Sequence, residues 1–138
     1  MQVTAEKSQL RITVAALLGT FSAPGRPLAY VTAESGNLSE IDTNQIVKTF
    51  LIGKDRKFDE DPRFGLIVLS EIASRALSPA VNDPGTAIDV IGTLVRLFAL
   101  WNEPIQDDDR QDCECDRVAV PELSIWDMLD DAFTAIAR

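Results

Sequence analysis

The residues best suited to chemistry in this sequence surround a single turn between two segments of helix-like apolar spacing. The turn reads Ser-Pro-Ala-Val-Asn-Asp-Pro-Gly-Thr over residues 78–86, and an arginine precedes it by three positions. Arginines neutralise anions, and a ligand here would be oriented by Asn82 with the free N–H groups of Gly85 and Thr86. The sequence therefore suggests a pocket for a small anion, with the ligand-binding residues Arg56, Arg75, Ser78, Asn82, Asp83 and Thr86.

The same residue types are common at helix ends, which provides a purely structural interpretation of the turn. Asp-Pro pairs at 61–62 and 83–84 each match a helix start, because aspartate accepts the first N–H groups and proline lacks the N–H that would have no partner. Asn82 tolerates the left-handed backbone of a tight turn. Arg75 borders an apolar helix face, where pairing with a carboxylate is expected more often than ligand binding. This structural interpretation is favoured, and the candidate partners of Arg75 are Asp61, Asp83 and Asp89.

Composition argues against several other classes of function. The chain has no histidine, which removes the commonest general base and zinc ligand and makes an enzyme less expected. A net charge of −9 opposes binding to phosphate backbones, so no nucleic-acid partner is predicted. The acidic segment 107–116 lacks calcium-loop spacing and enough zinc ligands, and no metal or other cofactor is predicted. Its Cys113 and Cys115 are too close for an easy disulfide, which favours reduced thiols and the cytoplasmic side.

The apolar patterns predict an α+β fold in which a β part precedes a helical part. Alternation over 10–17 and a second strand after the Gly- and Pro-rich segment 19–27 predict a β-hairpin or partial barrel. Ser39 or Asp42 would cap a short helix ending near residue 49. The segment Phe-Leu-Ile-Gly at 50–53 is either the last turn of that helix or a short strand that returns to the sheet, and the strand is favoured.

The helical part should begin with the two helices that follow the Asp-Pro pairs. Because a short turn joins them, helices over 62–77 and 84–101 should pack as an antiparallel helical hairpin. Ser124 and Asp127 resemble a capping box at the start of a C-terminal helix.

The whole chain, residues 1–138, is expected to form a single extramembrane domain. This domain would be mainly β with a short helix over 8–53 and helical over 60–138, with an acidic loop at 103–121. No apolar run approaches the ~20 residues that span a bilayer, so no part of this chain is expected to cross one.

Both helices of the predicted hairpin carry broad apolar faces. The first has a row formed by Phe64, Val68, Ile72 and Ala76, with Leu69, Ala73 and Leu77 beside it. The second has a stripe formed by Ala87, Ile91, Leu94, Phe98 and Trp101, widened by Ile88, Val95 and Leu97. Faces this broad on short helices exceed what one small core covers, which predicts a homo-oligomer.

Residues 53–87 also carry a resemblance to a known family. The matching residues are Gly53, Arg56, Asp61, Phe64, Gly65, Ile72, Ala73, Arg75 to Pro79, Asn82 to Pro84, Thr86 and Ala87, and upstream the run Gly-Thr-Phe-Ser-Ala-Pro-Gly-Arg-Pro-Leu-Ala-Tyr-Val adds to them. Over roughly 8–101 the chain resembles the soluble C-terminal region of a bacterial family of predicted membrane proteins, the domain of unknown function twenty-two fifty-four.

The resemblance implies context rather than chemistry, because the family has no assigned reaction. It implies a longer, membrane-anchored natural protein whose membrane-spanning region, absent from this chain, is a partner of this domain. The leading hypothesis is a non-catalytic accessory or sensory domain that mediates oligomerisation or binds a small anionic ligand. The alternative is a small hydrolase or phosphate-handling enzyme using Arg56, Arg75 and Asp83.

Overall fold

The computed structural model of this chain describes residues 1–34, 44–104 and 115–137. These residues form five helices and three strands, which confirms the α+β class. They divide into two compact units, each described here by itself: Met1–Arg56 with Asp112–Glu122, and Lys57–Gln111 with Leu123–Arg138. The prediction of a single domain stays a prediction.

The first unit contains a small mixed sheet. β1, Leu10–Val14, pairs antiparallel with β2, Ala29–Ala33, and parallel with β3, Val118–Ala119, which gives the strand order β2-β1-β3. Leu10 and Ile12 of the central strand are buried and their neighbours in the strand are more exposed, because successive side chains of a strand point to opposite faces. The predicted β-hairpin is confirmed, and among the described residues the sheet is open rather than a partial barrel.

Two short helices complete the apolar core of the first unit. α1, Gln2–Lys7, contributes Ala5, and α2, Asn44–Val47, contributes Ile46. Both side chains are buried in one cluster with the two inward residues of β1. α2 confirms the predicted short helix, whereas the expected caps Ser39 and Asp42 lie outside the described residues.

One carboxylate ties the strands of this sheet together. Glu34, just after β2, accepts a hydrogen bond from Arg11 Nε of β1 at 2.9 Å and also pairs with Arg117, which precedes β3. The hydrogen bonds from Arg117 and Arg11 lower the pKa of Glu34 below its ordinary value. The carboxylate is therefore ionised at neutral pH, and in that state it links all three strands.

The second unit consists of three helices: α3, Pro62–Ala76, α4, Pro84–Trp101, and α5, Ile125–Phe133. Each begins where the sequence predicted, because Asp61, Asp83 and Ser124 accept backbone N–H bonds at the three N-caps. The predicted acidic connection 103–121 is partly wrong, since it includes β3, and most of its residues lie outside the described part.

α3 and α4 form the predicted antiparallel hairpin. The backbone N–H of Asp83, at the start of α4, donates to the carbonyl of Ala76, at the end of α3, over 2.8 Å. The start of α4 therefore lies beside the end of α3, and α4 must run back along it to make the contacts the two helices share.

The core of the second unit is made mainly of small and medium side chains from the three helices. Its buried members are Leu66, Ala73, Ala76, Ala87, Val90, Leu94, Met128 and Ala132. Beside this core, Arg63 of α3 donates from Nε to Oδ2 of Asp131 of α5 over 2.5 Å. Within α4 the buried residues are Ala87, Val90 and Leu94, so this core covers a narrow strip of the helix.

Two expectations about this chain's apolar residues are wrong. Residues 50–53 are not a strand: Leu51 and Ile52 are 94% and 73% exposed, and no neighbouring strand pairs with them in the described part of the chain. The predicted row of α3 is displaced, because Leu66, Ser70 and Ala73 are buried whereas Ile72 is 44% exposed. Spacing alone places an apolar arc on a helix but does not fix which edge of the arc packs inward.

Replacing Ser70 by alanine should leave the second unit at least as stable as before. The Ser70 hydroxyl is buried and has no hydrogen-bond partner in the described structure, so its desolvation is uncompensated. We expect Ser70→Ala to raise the free energy of unfolding by up to about 1 kcal/mol. Urea unfolding followed by the fluorescence of Trp101 and Trp126 measures this, and Ser78→Ala, which removes a hydrogen bond to Arg75, is the destabilising control. A loss of stability in Ser70→Ala contradicts the conclusion that the buried Ser70 hydroxyl is uncompensated.

Acidification should weaken the first unit through Glu34. A carboxyl whose pKa is lowered by folding stabilises the fold above its unfolded pKa and loses that contribution as the pH falls through its folded pKa. We expect Glu34→Gln to reduce the acid-induced loss of amide-exchange protection in β1, whereas the exposed control Glu122→Gln should leave it unchanged. Equal acid sensitivity in the unmodified chain and in Glu34→Gln contradicts this role.

Candidate functional site

The turn between α3 and α4 is closed by its own backbone and side chains. Ser78 Oγ donates to the carbonyl of Arg75 at 2.7 Å, and the N–H of Asn82 donates to the carbonyl of Ser78 at 2.8 Å. These bonds complete the last turn of α3 and reverse the chain. The predicted site residues Ser78, Asn82, Asp83 and Thr86 therefore lie together, and each is engaged in the fold.

The start of α4 is occupied by the carboxylate of Asp83. Its Oδ1 accepts the N–H of Thr86 at 3.1 Å, and its Oδ2 accepts the Thr86 hydroxyl at 2.6 Å. Hydrogen bonds from the side chain and backbone of Thr86, with a further one from the backbone of Gly85, lower the pKa of Asp83. The N–H groups expected to be free for an anion are thus already bonded to a negative charge, which corrects that part of the pocket hypothesis.

Asn82 has the left-handed backbone that the sequence predicted for it. Its φ is +48°, a conformation that most L-residues avoid and that asparagine and glycine adopt most readily. This backbone aligns the N–H of Asp83 with Ala76 and the Asp83 side chain with α4. The role of Asn82 in the described structure is conformational.

The two arginines of the hypothesis are placed differently. Arg75 is exposed, and within the described residues it forms none of the expected ion pairs with Asp61, Asp83 or Asp89. Arg56 belongs to the first unit. Its convergence with Arg75, and with it the anion pocket, stays a prediction.

An exposed apolar surface on α4 is the feature that the turn hypothesis did not include. Helical geometry puts Ile88, Gly92, Val95 and Ala99 in one row, about 100° around the helix from the buried strip of Ala87 and Leu94. We call this row the outer face of α4. Ile88 and Val95 are 68% and 58% exposed, and Ile91 at the edge of the row is 37% exposed. The sequence contained a signal for this face, because Ile88 and Val95 made the apolar stripe of the second predicted helix broader than one small core covers.

An open groove of about 490 Å³ lies at the C-terminal end of α4, against α5. It is lined by Phe98, Trp101, Asn102, Ile125 and Leu129. These side chains supply no acid, base or nucleophile, and within the described residues no cluster of three or more His, Cys, Asp or Glu could hold a metal. Cys115 is exposed and Cys113 lies outside the described residues.

The backbone at Asn82 can be tested directly. We expect Asn82→Ala to lower the free energy of unfolding of the second unit by about 1 kcal/mol, because alanine is strained at positive φ. Asn82→Gly should stay within a few tenths of a kcal/mol of the unmodified chain, and the exposed control Arg75→Ala within about 0.5 kcal/mol. Tryptophan fluorescence in urea measures all three variants, and equal stability of Asn82→Ala and Asn82→Gly contradicts the conformational role.

α4 also has the length and apolar composition of a membrane span. By length and composition only, its 18 residues, Pro84–Trp101, could cross a membrane, and 17% of them are buried in the chain. This corrects the expectation that no segment is long and apolar enough. Core helices that are mostly buried pass the same test, whereas the buried residues of α4 are Ala87, Val90 and Leu94.

Comparison with known proteins identifies the family but assigns no reaction. One uncharacterized protein of Mycobacterium bovis and two of Mycobacterium tuberculosis are each 47% identical to this chain over 62 residues. The match covers 44% of this chain and 12% of each relative, so the chain spans a small part of their length. No solved structure matches the chain.

The family match extends over the whole chain. The family model described as "Predicted membrane protein (DUF2254)" matches residues 1–138, including the segment after Trp101 that the sequence resemblance did not reach. Membrane association and bacterial origin follow from these matches, whereas the cytoplasmic side stays a prediction. The chain belongs to the DUF2254 family of predicted membrane proteins.

Proposed function

We propose that this chain is a non-catalytic, extramembrane interaction domain of a bacterial membrane protein, and that it binds a second copy of itself through the outer face of α4. The observation that carries this proposal is the exposure of Ile88 and Val95 on a helix whose adjacent side is packed in the core. Pairing of two such domains would bring two membrane-anchored chains together.

The size of the exposed apolar surface supports an interaction role. Ile88, Ile91 and Val95 follow one another at three- and four-residue spacing, so their side chains form one continuous strip. Removing such a strip from water contributes about 25 cal/mol per Å² of apolar area, and the free-energy cost of association is subtracted from that gain. Scattered exposed apolar residues are ordinary, but a continuous strip on one helix face is typical of a contact surface.

A second copy is the occupant that the charges favour. The net charge of −9 opposes attachment of this face to anionic lipid and also repels a second copy, so the choice of occupant rests on the charges beside the strip. Beside the strip, α4 presents one acidic and one basic residue, Asp89 and Arg96, both exposed. One charge of each sign on the same face suits a self-complementary contact, and two-fold dimers are the commonest assemblies of soluble domains.

The catalytic alternative draws no support from a specific contact. Of its three residues, Asp83 is engaged as the cap of α4 and Arg75 is exposed on the surface. The hydrogen bonds of Ser78, Asp83 and Thr86 within the turn support the non-catalytic proposal.

Placing a charge on the outer face should separate the dimer. We expect the 138-residue chain to change from dimer to monomer with dilution through micromolar concentrations, and Val95→Glu to weaken the dimer at least tenfold, because it buries a carboxylate against the partner strip. Sedimentation equilibrium measures the mass.

The matched control is Leu51→Glu, which makes the same change of charge at a residue that is 94% exposed in the first unit. It should leave the dimer intact. A strictly monomeric unmodified chain overturns the proposal. So does binding of a monomeric chain to phosphatidylcholine–phosphatidylglycerol vesicles that Val95→Glu abolishes, because the face would then contact lipid.

A further inference from the structure

We infer that α4 packs antiparallel against α4 of the second copy, with Asp89 of each copy opposite Arg96 of the other. This inference rests on the proposed function and defines the geometry of its contact. Asp89 and Arg96 are seven residues apart, which is about two helical turns, so both lie on the same flank of the outer face.

These two charges are available to a partner. Both residues are exposed, and neither side chain forms an ion pair within the described structure. Arg96 donates only to the hydroxyl of Thr93 in its own helix, at 2.9 Å. The Thr93 hydroxyl carries no charge, so a carboxylate of a partner is a stronger acceptor for the same guanidinium.

Two-fold symmetry brings the opposite charges together only in the antiparallel arrangement. The two-fold axis of this arrangement is perpendicular to both helices and passes midway between Gly92 and Thr93. Residues 89 and 96 are equally distant from that midpoint, so residue 89 of each copy lies opposite residue 96 of the other. The charged flanks of the two helices then lie on the same side of the contact and form two identical ion pairs. In a parallel pair the charged flank would face the partner's other flank, which carries Ile91 and Phe98 and no charge.

The same axis also fits the apolar strip together. It places Ile88 of one copy between Val95 and Ala99 of the second copy along the helix axis, and it brings the two Gly92 residues together at the centre of the contact. Gly92 lies next to the axis, and the space its missing Cβ would occupy has the Arg96 guanidinium as its nearest neighbour, at 3.6 Å. The register that pairs the charges therefore also brings Ile88 of each copy against Val95 of the other.

Charge exchange tests this register. Asp89→Lys and Arg96→Glu each replace two attractive pairs with two repulsive ones, and each should weaken the homodimer about tenfold. The double variant with both changes restores opposite charges and keeps the net charge of the unmodified chain, so its dissociation constant should return to within about threefold of the original. A mixture of the two single variants should form a heterodimer in preference to either homodimer.

Sedimentation equilibrium of the full chain measures each of these, and circular dichroism verifies that the variants are folded. Single variants that dimerise as well as the unmodified chain, or a double variant weaker than either single, overturn the antiparallel register. If Val95→Glu still separates the dimer in that case, the outer face remains the contact and only the register is wrong. If Val95→Glu has no effect either, the proposed function fails with it.

Discussion

The second unit depends on one residue that holds two helices at once. The backbone N–H of Asp83 closes the end of α3 on Ala76, while its carboxylate accepts the first N–H and hydroxyl donors of α4 at Thr86. Asn82 makes both contacts possible by taking a positive φ. Because these groups are bonded to each other, the turn fixes the direction of α4, and α4 then determines which of its sides the core covers.

α4 therefore has two apolar sides, one packed in the core and one exposed to solvent. Small side chains at the α3 contact cover only the narrow strip of Ala87, Val90 and Leu94, which leaves Ile88 and Val95 in solvent. A single helix thus supplies both the core of its own unit and an exposed surface of the same chemistry. A continuous exposed strip of this kind is the basis of the proposed contact with a second copy.

The parts of this structure that the sequence predicted are those with a local cause. The Asp-Pro helix starts, the cap at Ser124 and the β-hairpin follow from residues a few positions apart. β3 was not predicted, because two residues form a strand only through their pairing with distant β1. The failed strand at 50–53 shows the converse: apolar residues without a neighbouring strand stay irregular and exposed. For the candidate site, the cap at Asp83 was predictable, whereas the exposed side of α4 depends on how closely α3 approaches it.

The most direct test of the two-sided α4 is an isotope-filtered NMR experiment on dimers that contain one labelled and one unlabelled copy. Packing of the outer face predicts nuclear Overhauser effects between the methyl groups of Ile88 in one copy and Val95 in the other. The contradicting result is a fully dimeric sample in which neither residue shows an effect between copies, because the contact would then lie elsewhere and the exposed side of α4 would have another role.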